Sequence, residues 1–594
     1  MNPLLDFAGL PRFDAIQPTD VEPAISQLLS EARTEIDRLL KQAMIPTWTN
    51  FAEPLQDNLE RLSRAWGIVG HLHSVNDIPP WREAYNAMLP EVTRFYAELG
   101  QNLELFKRYQ AMATSNEFTT LSPARQRILQ NEIRDFRLSG AELPDSEKPR
   151  FQALQERLSQ LAAKFSENLL DATNAFQLDV INEAELDGLP TDVKAAAKAA
   201  ADKAGISGWR FSLQAPSYLP VMQYASHRPL RAQMYRAYAV RASEFDDCAS
   251  KPEWNNTALI EEILKLRAEM ARMLGYESYA DVSLVPKMAD TVPQVLAFLR
   301  DLAQRAKPYG AADLAEITSF AKTELGFSDI EPWDIAYVSE KLKQARYSFS
   351  DDEVKQYFPE PKVLAGLFSV IGRLFSVQIT PDTAPVWHPS VRFFRITRGD
   401  QLIGQFYLDL YARDEKRGGA WMDEALTRRR IAGGIQTPVA YLNCNFPGPV
   451  GDKPATFSHD DVITLFHETG HGLHHLLTQI EDIAVSGIHG VEWDAVELPS
   501  QFMENFCWEW SVLQDMTAHV DTGAPLPRAL YDKMLAAKNF QSGLFTLRQL
   551  EFALFDLLIH SDPTCSTPVL ETLAKVREEV AVILPPAWHR FPNS

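Results

Sequence analysis

The chain is poor in cysteine. Cys248, Cys444, Cys507 and Cys565 are the only four in 594 residues, and no two stand in C-x-x-C spacing. That excludes a disulfide framework and a zinc ribbon, and it suits a reducing compartment. Long hydrophobic runs are also missing: no stretch of about 18 apolar residues exists to span a bilayer. The opening MNPLLDFAGLPRFD has no basic segment followed by an apolar one, so no signal peptide is predicted. Positive charge is scarce, with 58 basic against 79 acidic residues and a formal charge of −21. Such a surface repels phosphate backbones and anionic lipid, which argues against nucleic acid and membrane partners. Repeats are absent, and the only compositional bias is an Ala-rich helix near 193–204. A soluble cytoplasmic protein with no obligate protein partner is expected.

What is present reads as mostly α. With 45% hydrophobic and 23% charged residues the chain is globular, and its length calls for two or more subdomains. Thr19-x-x-Glu22 with Pro23 reads as a capping box opening a helix, whose apolar residues run Ile25, Leu28, Leu29, Ala32, Ile36, Leu39. Ser122-Pro123 opens another, stopped by Gly140. Phe151, Leu154, Leu158, Leu161, Phe165, Leu169, Ala172 and Phe176 predict a long helix packed against a neighbour. Strand character is confined to the middle: residues 391–411 form a predicted hairpin about Gly399, and 438–446 a further strand. After residue 500 the pattern is helical again.

The chemistry concentrates in FHETGHGLHHLLTQIEDIAVSGIHGVEWDAVELPSQF, residues 466–502. Ser458-x-x-Asp461 reads as a cap before Val462, Leu465, Phe466, Leu473, Leu476 and Leu477, predicting a helix over 459–477 with one face in the core. His467 and His471 are then about one turn apart, within about 40° around the axis and roughly 6 Å along it. Two imidazoles so placed can grip one tetrahedral zinc ion, and Glu468 can reach a water held there. Glycine inside a helix costs on the order of 1 kcal/mol against alanine. Gly470 and Gly472 therefore predict that another backbone or a ligand comes close. The third ligand is open among Glu481, Glu492, Glu497 and Glu504. Glu497 is favoured because Pro499 marks a helix start, and a helix fixes a ligand better than a loop. Asp494 and Glu504 are candidates to accept the second N–H of a ligand histidine. His474 reads as a structural histidine, His475 and His489 as surface residues.

His467-Glu468-Thr469-Gly470-His471 together with Trp493-Asp494-Ala495-Val496-Glu497-Leu498-Pro499-Ser500-Gln501 resembles the thimet oligopeptidase family of zinc metallopeptidases. PLLDFAGLPRFDAIQP, DLYARDEKRGGAWM and LAAKNFQSGLFTLRQLEFALFD extend the likeness nearly end to end. The resemblance implies one zinc per chain on His467, His471 and Glu497, with Glu468 as general base. It implies a zinc-dependent endopeptidase acting on short, unfolded cytoplasmic oligopeptides. The implied fold is a helical ellipsoid of two halves flanking a deep substrate channel, with one small β-sheet near the zinc site. Residues 1–205 would be an N-terminal helical region and 206–594 the catalytic region. The strand 438–446 would be placed to pair with substrate backbone. Two departures stand out. Thr469 replaces a phenylalanine common in relatives, for which local repacking is expected. The chain also stops at AWHRFPNS, where relatives continue into a His- and Tyr-rich segment that supplies oxyanion donors. Losing one such donor costs about 10²–10³ in rate. A zinc-loaded peptide-binding protein with impaired turnover is thus the second reading.

Overall fold

The computed structural model describes residues 2–245, 248–249 and 251–594. Its N-terminal part is a stack of helices: α1 Val21–Leu40, α2 Glu53–Val75, α3 Pro79–Gly100, α4 Leu103–Ala113, α5 Pro123–Leu138 and α6 Lys148–Ala175. In α1 every third or fourth residue, from Val21 through Ala24, Leu28 and Ala32 to Leu39, is apolar and buried, so one stripe faces the core. The Ser122 side chain accepts the Arg125 N–H at the start of α5, and Gly140 follows its end with φ of +85°. The long seam of α6 packs against α3 and against the helix Thr257–Met273.

Helix also dominates from residue 215 to 375 and after 498. Between them lies a five-stranded sheet in the order β3–β4–β5–β9–β6, made of β3 Gln378–Pro381, β4 Arg392–Arg398, β5 Gln401–Tyr411, β6 Trp421–Leu426 and β9 Val439–Phe446. Two short ribbons accompany it: β1 Gln177–Val180 with β2 Trp209–Ser212, and β7 Arg429–Ile431 with β8 Gly434–Gln436. The first ribbon lies outside residues 391–446, the middle region to which the sequence pattern confines strand character. The predicted hairpin about Gly399 is present as β4 and β5.

The sheet is covered on both faces, and residues 439–444 of its strand VAYLNCNF are all buried. Phe393, Tyr407, Val439 and Tyr441 pack into the core of the N-terminal helices. Phe394, Phe406, Leu408, Ala440, Leu442 and Cys444 lie in a second core shared with the helices Glu360–Phe375 and His459–Leu476. The strand at 439–446 is parallel to β5 on one side and antiparallel to β6 on the other. Both sets of its backbone groups are engaged, so it cannot accept a substrate strand. The open edge next to it is β6.

Candidate active site

The helix His459–Leu476, the ligand helix below, begins where its sequence says it should. Ser458 accepts the Asp461 N–H, and the Asp461 carboxylate accepts the Ser458 N–H in return. Val462, Leu465, Phe466, Leu473 and Leu476 are buried against the sheet, which turns His467 and His471 to the opposite side. Both internal glycines are close approaches. A β-carbon on Gly470 would lie 2.5 Å from the Pro499 carbonyl oxygen and 2.6 Å from Ser500 Cα. On Gly472 it would meet Leu442 at 2.9 Å. Gly470 is thus what lets the short helix Leu498–Glu504, with Glu497 as its N-cap, rest on the ligand helix. Thr469 is buried and donates its hydroxyl to the Leu465 carbonyl at 2.6 Å, satisfying it locally.

His467, His471 and Glu497 come together with one ligand atom each, all within 4.8 Å of one another. Glu497 Oε2 lies 3.1 Å from His467 Nε2 and 3.2 Å from His471 Nε2. A tetrahedral ion with bonds of about 2.0–2.1 Å separates its ligand atoms by about 3.3 Å, close to both distances from Glu497 to the histidines, so the donor set suits one divalent cation. Glu504 Oε1 accepts from His467 Nδ1 at 2.7 Å, which leaves Nε2 as the nitrogen facing Glu497. Among the described residues, His471 Nδ1 has no hydrogen-bond partner.

Glu468 is 6% exposed. Burial drives its carboxyl up to about 7; the Glu497 charge adds to the rise, while His467 and the Met422 backbone N–H oppose it. The Met422 contact places Glu468 beside the open edge strand β6, a neighbour no local sequence pattern announced. Burial lowers His471 and His474, and Glu497 partly restores the former.

The other candidates are accounted for elsewhere. Glu481 pairs with Arg428 and Arg430, and Glu492 with Arg127 at 2.6 Å. Asp494 supports no histidine: it accepts the backbone N–H groups of Met288 and Ala289 at 2.9 Å. His475 is not a surface residue but fully buried, its Nε2 on the Leu426 carbonyl at 2.9 Å. His489 is half-buried and stands 2.7 Å from Glu424 of β6. Burial alone would raise Glu424, but His489, His475 and Thr427 together outweigh it and lower the carboxyl.

Residues 221–594 match the model of peptidase family M3, and residues 25–148 that of the neurolysin/thimet oligopeptidase N-terminal domain. Oligopeptidase A of Escherichia coli is 48% identical over 100% of this chain and 88% of its own length. Oligopeptidase A of Haemophilus influenzae is 48% identical over 100% and 87%. An organellar oligopeptidase A of Arabidopsis thaliana is 40% identical over 98% and 75%. A solved protein of Bacillus anthracis described as an oligoendopeptidase F shares the fold at TM-score 0.55 and 13% identity, over 94% of this chain and 82% of that one. With a family model matched over more than half of its length, the chain belongs to peptidase family M3 and is a metallo-endopeptidase.

Proposed function

We propose that this protein is a zinc-dependent endopeptidase that hydrolyses short oligopeptides in the cytoplasm. One observation carries the reading: a single Glu497 oxygen stands 3.1 and 3.2 Å from two histidine nitrogens one helical turn apart, with Glu468 beside them. His467, His471 and Glu497 would hold the ion; two imidazoles and one carboxylate are a common catalytic zinc set with a position left open. A zinc ion held by these residues would supply Lewis acidity toward a peptide carbonyl and toward water. Glu468 takes the proton of the attacking water and returns it to the leaving amine nitrogen. The edge of β6, beside Glu468, offers the backbone groups with which an extended peptide would pair.

The oligopeptide substrate follows the relatives named oligopeptidase A, one of them described as cytosolic. No helix among the described residues is long and apolar enough to cross a membrane, and the charge of −21 disfavours nucleic acid. Residues 206–594 carry the site, and 1–205 form the helical region that backs the sheet.

Zinc content and a quenched-peptide assay, with Glu468→Gln as control, test the reading. One zinc per chain and cleavage lost in the variant are expected. Zinc without cleavage would favour a peptide-binding protein, and no zinc would overturn the proposal.

A further inference from the structure

Ser500 lies in the first turn of the helix Leu498–Glu504 and is 0% exposed. Its Oγ is 2.7 Å from Glu497 Oε2 and 2.9 Å from the Glu497 carbonyl oxygen. A hydroxyl has one proton, so it serves one of these acceptors at a time. The carbonyl already accepts the Gln501 N–H at 3.0 Å. The carboxylate is charged and closer, and a charged acceptor makes the stronger bond. The proton therefore belongs to the carboxylate, on the same oxygen that faces His467 and His471.

Glu497 needs such a partner, because its side chain is 51% exposed. An acidic side chain in water samples several rotamers, and fixing it costs entropy at the moment a ligand binds. Ser500 has no such freedom, since it is wedged against Gly470, where even a β-carbon would collide with Ser500 Cα at 2.6 Å. The rigid ligand helix thus fixes the serine, and the serine fixes the carboxylate.

We infer that Ser500 is a positioning residue of the metal centre, its buried hydroxyl holding the Glu497 carboxylate in the rotamer that meets the two imidazoles. The inference rests on the proposed reading of His467, His471 and Glu497 as ligands. Zinc affinity measured by competition with a chelating indicator, the visible absorption of the cobalt-substituted protein, and the melting temperature of the metal-free chain test it together. Ser500→Ala should lose about ten- to a hundredfold in zinc affinity and alter the cobalt bands. The metal-free melting temperature should stay at the wild-type value. Ser500→Thr, which keeps the hydroxyl, should restore affinity and spectrum. Wild-type affinity and cobalt bands in Ser500→Ala would overturn the inference alone. So would a threonine variant that melts normally yet fails to recover affinity, since packing would then explain the loss. A wild-type chain that binds no zinc would instead overturn the reading of the site, a separate result.

Discussion

His467 Nδ1 and Glu504 Oε1 stand 2.7 Å apart, joining two helices at the candidate metal site. The bond fixes which ring nitrogen of His467 faces Glu497, and a carboxylate there makes the imidazole a stronger donor to a cation. Glu504→Ala is expected to weaken zinc binding about ten- to a hundredfold. Glu504→Gln keeps an acceptor without the charge and should fall between. Chelator competition measures both, and equal affinities across the three proteins would contradict the assignment.

Gly470→Ala sets two effects against each other. Alanine gains on the order of 1 kcal/mol of helix propensity over glycine. Against this, its methyl would press on the Pro499 and Ser500 backbone at 2.5–2.6 Å. Backbone cannot rotate aside as a side chain can, so overpacking of about 1–3 kcal/mol dominates. A lower urea midpoint is expected, together with zinc affinity reduced by the displacement of Glu497. A more stable variant with full zinc would show that the two helices part freely.

His71 is fully buried, stacked on Tyr441 at 3.7 Å and edge-on to Trp387, and neither ring nitrogen has a hydrogen-bond partner among the described residues. Burial lowers it to about 3. An unfolded histidine takes up its proton near pH 6.5, so between about 6.5 and 3 the unfolded chain binds a proton that the folded chain refuses. Its contribution is therefore present above pH 6.5 and lost as pH falls, by up to about 1.4 kcal/mol per pH unit. His71→Phe should flatten the acid limb of the stability curve by that slope between pH 6 and 5. Urea midpoints at several pH values check it, and an unchanged limb would refute it.

Asp409 and Lys416 are both fully buried, 3.0 Å apart. Arg413 and the Trp387 indole N–H share the same carboxylate. Lys416 also donates to the Cys444 carbonyl, tying the turn after β5 to β9. Asp409→Ala strands a buried ammonium and should cost about 3–5 kcal/mol in chemical denaturation. Asp409→Leu combined with Lys416→Met should recover part of that, because the lysine charge is gone while Arg413 still loses its carboxylate. A single variant as stable as wild type would show that the lysine finds water.

The ligand helix was legible because three signals agreed on it: a reciprocal cap at Ser458 and Asp461, an apolar stripe of period 3.6, and two histidines on the other side. Glu497 followed from Pro499, since a helix start is written locally. Strand order is not local. Nothing within VAYLNCNF distinguishes a central from an edge position, so β9 looked able to pair with substrate while β6 holds the edge. The buried His475 was hidden for the same reason, its carbonyl partner Leu426 being 49 residues away. Even a cap can mislead. The Thr19 and Glu22 pattern is bypassed by Asp20, whose carboxylate accepts the Gln17 N–H at 2.8 Å, and the helix starts at Val21.

The aromatic face of the sheet has a consequence for how this protein can be divided. Phe393, Tyr407, Val439 and Tyr441 share one core with the helices that precede them in the chain and with Trp387. A recombinant fragment beginning after residue 205 would present that greasy wall to water next to the unpaired rim of β6, a combination that invites filament growth. The leading helices are made first at the ribosome and wait for the sheet that docks on them. In effect they serve the later half as a built-in chaperone that never leaves.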